Sequence, residues 1–223
     1  MIKLKETIMK KMHQLAMVLL MPLLTLSISA SAEQYTEGKQ YTKVSDVASK
    51  NAEVREYFSV YCPHCFSFEP LMKTVKKDLP KDAKFERNHV DFLRGVSPMI
   101  QQTVTKAIVA AKQLENEDKL IGALFNYVHV QRAVITSETD IRNIFVLNGA
   151  DGDKFDKLMK SFSVNSQAKS IKKHQDTMSQ SGALRSVPTL IVNGKYRINP
   201  KELDKSNPEA DYKNLINYLL TLK

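Results

Sequence analysis

The residues best suited to chemistry in this 223-residue chain are its only two cysteines, Cys62 and Cys65. Pro63 and His64 separate them. A run rich in aromatic and β-branched residues precedes the pair and a helical pattern follows it, so the cysteines stand at a strand-to-helix junction. Two thiols with this spacing can form and break a disulfide bond, which is the chemistry of a redox centre.

The segments around the cysteines predict a β-α-β unit. Residues 55–61 form a short apolar run that predicts a buried strand. Pro63 suits the first turn of a helix, where its missing N–H group is no loss, and the helical pattern runs to about residue 79 before Pro80 ends it. Residues 84–92 predict the second strand of the unit. A short extended piece at 41–44 precedes it.

A series of helices separates this unit from a second group of strands. Ser137 with Asp140 predicts a capping box, and Asn165 predicts the cap of a long polar helix. The apolar positions predict helices over residues 100–114, 120–128, 137–149, 155–162 and 165–182.

The C-terminal part returns to strand character. Residues 189–192 and 195–198 predict two strands joined by a tight turn at Asn193-Gly194, the strongest short hairpin signal. Asn207 with Pro208 opens a final helix.

This order predicts an α/β domain with a helical domain inserted in its middle, because the helices are too many for a single crossover. We assign residues 33–95 and 164–223 to the α/β domain and residues 96–163 to the inserted domain.

The first 32 residues have the pattern of a cleaved signal peptide. Four lysines precede a largely apolar run at 15–28, and Ala30-Ser31-Ala32 provides small residues for cleavage after Ala32. The alternative is a membrane anchor, but the run is shorter than the roughly 20 residues that span a bilayer, and Pro22 interrupts it. Export to an oxidising compartment favours a chemical role for a cysteine pair that closes so small a loop.

The composition argues against several other functions. The formal net charge is +9, but the lysines are scattered without an aromatic-interleaved basic patch, so no nucleic acid is expected as a partner. His89, His129 and His174 have no metal-site spacing, and one cysteine pair is at most half of a zinc site, so no metal is expected. No nucleotide or flavin motif is visible, so no cofactor is expected.

Several motifs together carry a family resemblance. They are the Cys62-Pro63-His64-Cys65 segment, the Val187-Pro188 pair before a strand, the helical insertion, and the segments Gly38-Lys39-Gln40-Tyr41, Phe68-Glu69-Pro70 and Asn193-Gly194-Lys195-Tyr196. In these features the chain resembles the DsbA-type thiol:disulfide interchange proteins over nearly its whole length after the signal peptide. The resemblance implies an α/β fold of the thioredoxin-like type with an inserted all-helical domain.

The two cysteines are expected to have different roles. Cys62 would lie at a helix N-terminus, where first-turn N–H groups and the helix dipole favour a thiolate. His64 would add a positive charge or a hydrogen bond, or is instead an ordinary solvated residue. DsbA enzymes are themselves a known example of a depressed cysteine pKa and a stabilised reduced form. Cys62 is therefore expected to be the exposed sulfur that forms the mixed disulfide, and Cys65 its buried partner.

The resemblance also implies roles for residues outside the cysteine motif. The Val187–Pro188 bond is expected to be cis, with the Val187 backbone available to pair with an extended substrate, rather than an ordinary strand-edge proline. Glu56 is expected beneath the active site with Arg87 nearby, where the family has lysine. Since arginine does not release a proton, the pair would hold charge without relaying a proton through its basic member. The alternative is a partly exposed ion pair on the strand.

The expected function is that of a monomeric periplasmic disulfide oxidase. By resemblance, it would donate the Cys62–Cys65 disulfide to reduced, newly exported proteins and be reoxidised by a quinone-linked membrane partner of the DsbB type. Two alternatives stay open. One is a disulfide isomerase or reductase, and the other is a non-enzymatic, chaperone-like binder of unfolded chains.

Overall fold

The computed structural model describes residues 35–222, and the predicted signal peptide at 1–32 lies outside them. Within the described chain the strands are β1 (Tyr41–Lys43), β2 (Glu53–Phe58), β3 (Lys84–His89), β4 (Thr189–Val192) and β5 (Tyr196–Ile198). The α-helices are α1 (Pro63–Asp78), α2 (Pro98–Gln113), α3 (Glu117–Phe125), α4 (Glu138–Leu147), α5 (Gly152–Lys160), α6 (Phe162–Gln180) and α7 (Pro208–Thr221). A π-helical turn at Asn126–Val130 extends α3, and a 3₁₀ turn lies at Pro200–Glu202.

The strands form one mixed sheet in the order β1-β5-β4-β2-β3. The β2 and β3 strands are parallel, and α1 connects them as the predicted β-α-β unit. The other neighbouring pairs are antiparallel. Because α2 to α6 all lie between β3 and β4 in the chain, the predicted α/β fold with a helical insertion is confirmed. The domain boundaries stay a prediction, and the one at residue 164 falls in the first turn of α6.

Several helix caps and turns form at the residues where the sequence predicts them. Ser137 and Asp140 form the capping box of α4, and Asn207 caps α7 through the backbone N–H of Ala210. Asn193 and Gly194 both have positive φ values, +52° and +66°, as a tight hairpin turn requires.

Two predictions about α5 and α6 are wrong. The cap of α6 is Ser161, whose hydroxyl accepts the N–H of Val164, whereas the Asn165 side chain donates to the Ser161 carbonyl. Phe162 therefore begins α6 instead of extending the apolar face of α5, and it is 87% exposed. Ser161 is both the C-cap of α5 and the N-cap of α6, so the apolar pattern that seems to continue from Phe155 to Phe162 is divided between two helices.

Both strands of the β-α-β unit are shorter than predicted. The β2 strand ends at Phe58 because the next residues turn: the Cys62 N–H donates to the Ser59 carbonyl, and the Tyr61 N–H donates to the Ser59 hydroxyl. The β3 strand ends at His89, although the apolar pattern continues to Phe92. The turn after β2 is what brings the cysteines to the start of α1.

The described core has one part on each face of the sheet and one in the helical region. One sheet face packs against α1 and α7, and the other packs against the segment that follows α6. The core of the helical region is continuous with Phe58, Val60, Cys62 and Cys65. The cysteines therefore lie where the sheet meets the helical region. Each helix within residues 35–222 is too short or too polar to span a bilayer.

Candidate active site

The cysteine pair occupies the first turn of α1. Cys62 is the N-cap residue, and its sulfur accepts the backbone N–H of Cys65 at 3.2 Å. Both cysteines are free thiols, with Cys62 6% exposed and Cys65 fully buried. The expectation of an exposed Cys62 sulfur is thus corrected, since this residue is nearly buried. Pro63 and His64 between them are exposed.

The position of the two sulfurs separates their acidities. The pKa of Cys62 is lowered to about 6, mainly by the hydrogen bond that the Cys65 thiol donates to its sulfur. Hydrogen bonds from the backbone N–H groups of Cys65 and His64 and the charge of His64 act in the same direction, and partial burial acts against them. The same thiol–thiol hydrogen bond, together with burial, raises the pKa of Cys65 far above its ordinary value. At neutral pH the reduced pair is therefore a Cys62 thiolate beside a Cys65 thiol.

The segment before β4 covers the cysteine pair. The Val187–Pro188 peptide bond is cis. The Cys62 sulfur lies 3.6 Å from the Val187 carbonyl oxygen, to which it can donate only when protonated, below its pKa of about 6. Both residues are half-buried. This contact explains why Cys62 is less exposed than its place at a helix start suggests.

Glu56 and Arg87 form a buried ion pair beneath the active site. They face each other across the parallel β2–β3 pair, with the Arg87 Nε donating to the Glu56 Oε2 at 2.9 Å. Their side chains are 0% and 3% exposed, so the alternative of a partly exposed strand pair is wrong. The Arg87 guanidinium also lies 4.2 Å from the centre of the Phe58 ring, a cation–π contact.

Glu69 completes this group, and the sequence analysis did not include it among the site residues. The other two Arg87 nitrogens donate to its carboxylate at 3.1 and 2.7 Å, a bidentate pairing. We call Glu56, Glu69 and Arg87 the acid–arginine cluster. The sequence did contain a signal for this role of Glu69. It follows Cys65 by four positions and so lies on the face of α1 that also buries Met72, and a carboxylate on a buried face needs a charged or hydrogen-bonding partner.

One oxygen of the cluster has no partner. Glu56 Oε1 is buried and makes no hydrogen bond in the described structure. Burial, opposed by Arg87 and reinforced by the charges of Glu69 and Cys62, raises the pKa of Glu56 to about 7. Glu56 can therefore change its protonation state near neutral pH, and the charges of Glu56 and the cysteines affect each other.

His129 is a second residue that the sequence analysis missed in this role. Its Nε2 atom lies 2.9 Å from the Val60 carbonyl, to which it donates, and its ring stacks on Phe66 at 5.1 Å. Val60 and Phe66 lie on either side of the cysteine motif. Because His129 belongs to the π-helical turn after α3, this contact ties the helical region to the active-site turn. No sequence signal links residues so far apart.

A second buried polar group lies beside the cluster. His89 Nδ1 is 2.9 Å from the Thr105 hydroxyl, which itself donates to the Gln101 carbonyl, and His89 Nε2 is 3.4 Å from the Ser59 hydroxyl. With the Thr105 proton thus engaged, Nδ1 carries the imidazole proton and Ser59 donates to Nε2. We call Ser59, His89 and Thr105 the histidine chain. Burial lowers the pKa of His89 to about 3, so its ring is neutral.

The described site residues offer the chemistry of a redox-active cysteine pair. In residues 35–222 no three His, Cys, Asp or Glu side chains are grouped so as to hold a metal ion. A sheet with a Cys-x-x-Cys pair at a helix start, facing a cis-proline, defines a thioredoxin-like thiol:disulfide oxidoreductase.

Comparison with known proteins identifies the family. The model of the DSBA-like thioredoxin domain matches residues 53–206, and the chain belongs to this family. It is 37% identical over 202 residues to the thiol:disulfide interchange protein DsbA of Escherichia coli strain K12, covering 88% of this chain and 93% of that protein. DsbA of Haemophilus influenzae is also 37% identical, over 198 residues, with 87% and 92% covered.

Solved structures agree with the sequence comparison. The disulfide oxidoreductase DsbA from Proteus mirabilis has a TM-score of 0.74 at 31% identity, covering 86% of this chain and all of that one. A complex of Proteus mirabilis DsbA with a non-covalently bound peptide has a TM-score of 0.73 at 31% identity, with 84% and 99% covered. The chain is therefore a thiol:disulfide oxidoreductase with the DsbA fold.

Proposed function

We propose that this protein is a periplasmic disulfide oxidase that donates the Cys62–Cys65 disulfide to reduced proteins after their export. The observation that carries the proposal is the asymmetry of the cysteine pair, in which the pKa of Cys62 is lowered and that of Cys65 is raised. A stabilised Cys62 thiolate favours the reduced enzyme. The disulfide is then readily transferred to a substrate.

The reaction balances as two exchanges. A substrate thiolate attacks the Cys62 sulfur, the Cys62–Cys65 bond breaks, and Cys65 leaves as a thiolate that takes up a proton. A second substrate thiolate then attacks the substrate sulfur of the mixed disulfide and releases the Cys62 thiolate. The substrate loses two electrons and gains a disulfide, and the enzyme is left as the dithiol.

Glu56 is the candidate proton donor to the leaving Cys65 thiolate. Its pKa of about 7 lets it hold a proton at neutral pH, and its charge raises the pKa of Cys65. Arg87 does not share this role because a guanidinium keeps its proton. Its part is to hold the two carboxylates in place.

The substrate would bind along the Val187–Pro188 segment. In the reduced protein the Val187 carbonyl faces the Cys62 thiol. Neither the Cys62 thiolate nor the mixed disulfide has a proton to donate to this carbonyl, which is therefore free to accept a substrate backbone N–H as in strand addition. The Proteus mirabilis complex, whose bound peptide PWATCDS contains a cysteine, supports a peptide as the ligand.

Return to the oxidised form needs a second partner. By family membership this would be a quinone-linked membrane protein of the DsbB type, with the oxidase acting as a monomer. Incubation with membranes that contain such a partner and quinone should reoxidise the wild-type dithiol, and the loss of quinone should stop the reaction.

A redox titration of the Cys62/Cys65 pair tests the direction of transfer. The expected potential is well above that of a reductant such as thioredoxin, about −270 mV. A potential as low as thioredoxin's would contradict the oxidase and favour the reductase or isomerase.

Cysteine variants test the chemical role of the pair. Cys65→Ser should trap mixed disulfides at Cys62, whereas full biological activity of a Cys62→Ser/Cys65→Ser variant would favour the chaperone-like binder.

His64→Ala tests the tuning of Cys62. The charge of His64 is the smallest of the named causes that lower this pKa. The Cys62 pKa should therefore rise from about 6 but stay well below 9.0, the ordinary value, and the protein should become a weaker oxidant. Thiolate absorbance against pH measures the change. Lys73→Ala removes an exposed charge farther along α1 and is the control; an unchanged pKa in His64→Ala would exclude the tuning role.

A further inference from the structure

A groove with charged side chains on both walls lies between α2 and α6, beside the end of β3. It has a volume of about 580 Å³, within the range of small-molecule sites. Its walls come from both helices, with Gln102 and Lys106 on α2 and Lys169, Lys172 and Lys173 on α6. His89, Thr105 and Gln175 lie at its buried side.

The α6 helix presents few apolar side chains to the rest of the protein. Over 19 residues it buries only Val164 and Gln175. A helix that packs on a domain normally presents an apolar stripe. Here the apolar inward side chains are few, namely Val164 with the partly buried Ile171 and Met178, and Gln175 is a buried amide among them. The helix thus forms one wall of the groove, and its polar groups there are mainly the lysines and Gln175.

The floor of the groove is held rigid by one buried acid. Asp91 accepts Gln175 Nε2 at 2.6 Å and Gln102 Nε2 at 2.9 Å, and Lys172 lies 3.6 Å away. Lys172 also pairs with Asp176 at 2.6 Å. The two aspartates of the groove are therefore already paired, and they share Lys172.

The other three lysines are free to bind a ligand. Lys106, Lys169 and Lys173 have no carboxylate within ion-pair distance among the described residues, and Lys106 is half-buried. Because Lys106 stands on the wall opposite Lys169 and Lys173, an anion between them would contact positive charge from both sides. Four lysines against two aspartates leave the groove with net positive charge.

We propose that this groove binds a small phosphate-bearing molecule. Lysine ammonium groups act as point charges that suit a phosphate, whereas planar carboxylates are better matched by arginine, and none of the lining residues within 35–222 is an arginine. Among the lining residues that the structure describes, His89 is the only one with a ring, and it is buried in the histidine chain, so these residues offer no platform on which a nucleobase could stack. The ligand is thus a non-aromatic phosphomonoester, free in solution or as a lipid headgroup.

Glycerol 3-phosphate is the probe for the free form. Titrated into the isotope-labelled wild-type protein, it should cause saturable amide shifts in NMR spectra confined to residues 102–106 and 165–176. Lys106→Gln/Lys169→Gln should weaken binding about tenfold or more through two lost charge-assisted hydrogen bonds. Lys173→Gln alone, at an exposed position, should weaken it in the same direction. Thermal unfolding of both variants should match wild type because these lysines make no ion pair.

The matched control is Lys77→Gln/Lys81→Gln, which removes the same charge from exposed lysines outside the groove. Its affinity should stay within about twofold of wild type, as expected for distant surface charges. Equal weakening in both double variants would show non-specific attraction and overturn the proposal.

Vesicles of phosphatidylcholine containing phosphatidic acid present the same phosphomonoester as a lipid headgroup. Shifts at the groove with glycerol 3-phosphate assign a free ligand, and a response to these vesicles alone assigns the headgroup. Both results support the site, and a groove that responds to neither overturns it. The disulfide exchange reaction does not depend on this outcome, because the groove shares no side chain with the cysteine pair.

Discussion

Two buried polar groups lie side by side at β3, and they differ in charge. The acid–arginine cluster concentrates one guanidinium and two carboxylates at Arg87, while the histidine chain, two residues along at His89, is neutral. Both are nearly inaccessible to water. Burial alone therefore does not decide whether a polar group here can change its charge.

The two groups differ in how completely their polar atoms are paired in hydrogen bonds. In the histidine chain each ring nitrogen has a partner of the right kind, and burial keeps the ring neutral. In the cluster Glu56 keeps one oxygen without a partner, and its pKa is raised to about 7. The group next to the cysteines is the one that can take up or release a proton. The other group is structural.

Removal of Arg87 should have the largest effect. Arg87→Met leaves two buried carboxylates without their cation, and breaking a buried pair in this way costs about 3–5 kcal/mol of the free energy of unfolding. Chemical denaturation measures it. Arg142→Met, which breaks a more exposed pair with Asp156, should cost less than about 1 kcal/mol. Similar losses in the two variants would show that the cluster is not a distinct charged unit.

The second prediction concerns the pH dependence of stability in the oxidised protein, where Cys62 does not titrate. The pKa of Glu56 is raised from 4.5 to about 7 in the reduced protein, and the Cys62 charge is the smallest of the named causes, so the pKa stays raised when the disulfide removes that charge. Its contribution to stability is therefore full below pH 4.5 and is lost as the pH rises toward and through 7, by at most about 3 kcal/mol.

Glu56→Gln should flatten this decline, as measured by denaturation across the same pH range. Glu86→Gln on the neighbouring strand β3 controls for the loss of one negative charge, since Glu86 pairs with Lys112 outside the cluster. A decline of the same size in Glu56→Gln would mean that Glu56 is not the group responsible.

The smallest effect is expected in the histidine chain. Thr105→Val leaves His89 Nδ1 without its partner, which should cost about 1–2 kcal/mol and leave the pH dependence unchanged. Thr103→Val is the matched control because Thr103 is on the same helix and its hydroxyl contacts only the Met99 carbonyl. If the free energy of unfolding of Thr105→Val showed a new pH-dependent step, the histidine chain would also be able to change its charge, and the difference between the two groups would not hold.

The local parts of the fold could be predicted from the sequence. The Asn193-Gly194 hairpin and the Ser137 capping box depend on residues a few positions apart, so their signals lie in the pattern itself. The placement of the cysteines after a strand and before a helix is of the same kind. Predictions failed where one residue interrupts a pattern, as at Ser161 between α5 and α6.

The site could be predicted only in part, for a physical reason. The sequence by itself determined the cysteine pair at a helix start, and hence that Cys62 is the more acidic thiol, because the first-turn N–H groups belong to the same few residues. Only the tertiary structure decided that the Val187 segment covers Cys62, that Glu69 joins Arg87, and that Glu56 is buried with an unpaired oxygen. Burial and pairing depend on contacts between residues 18 to 125 positions apart, and no local pattern records them.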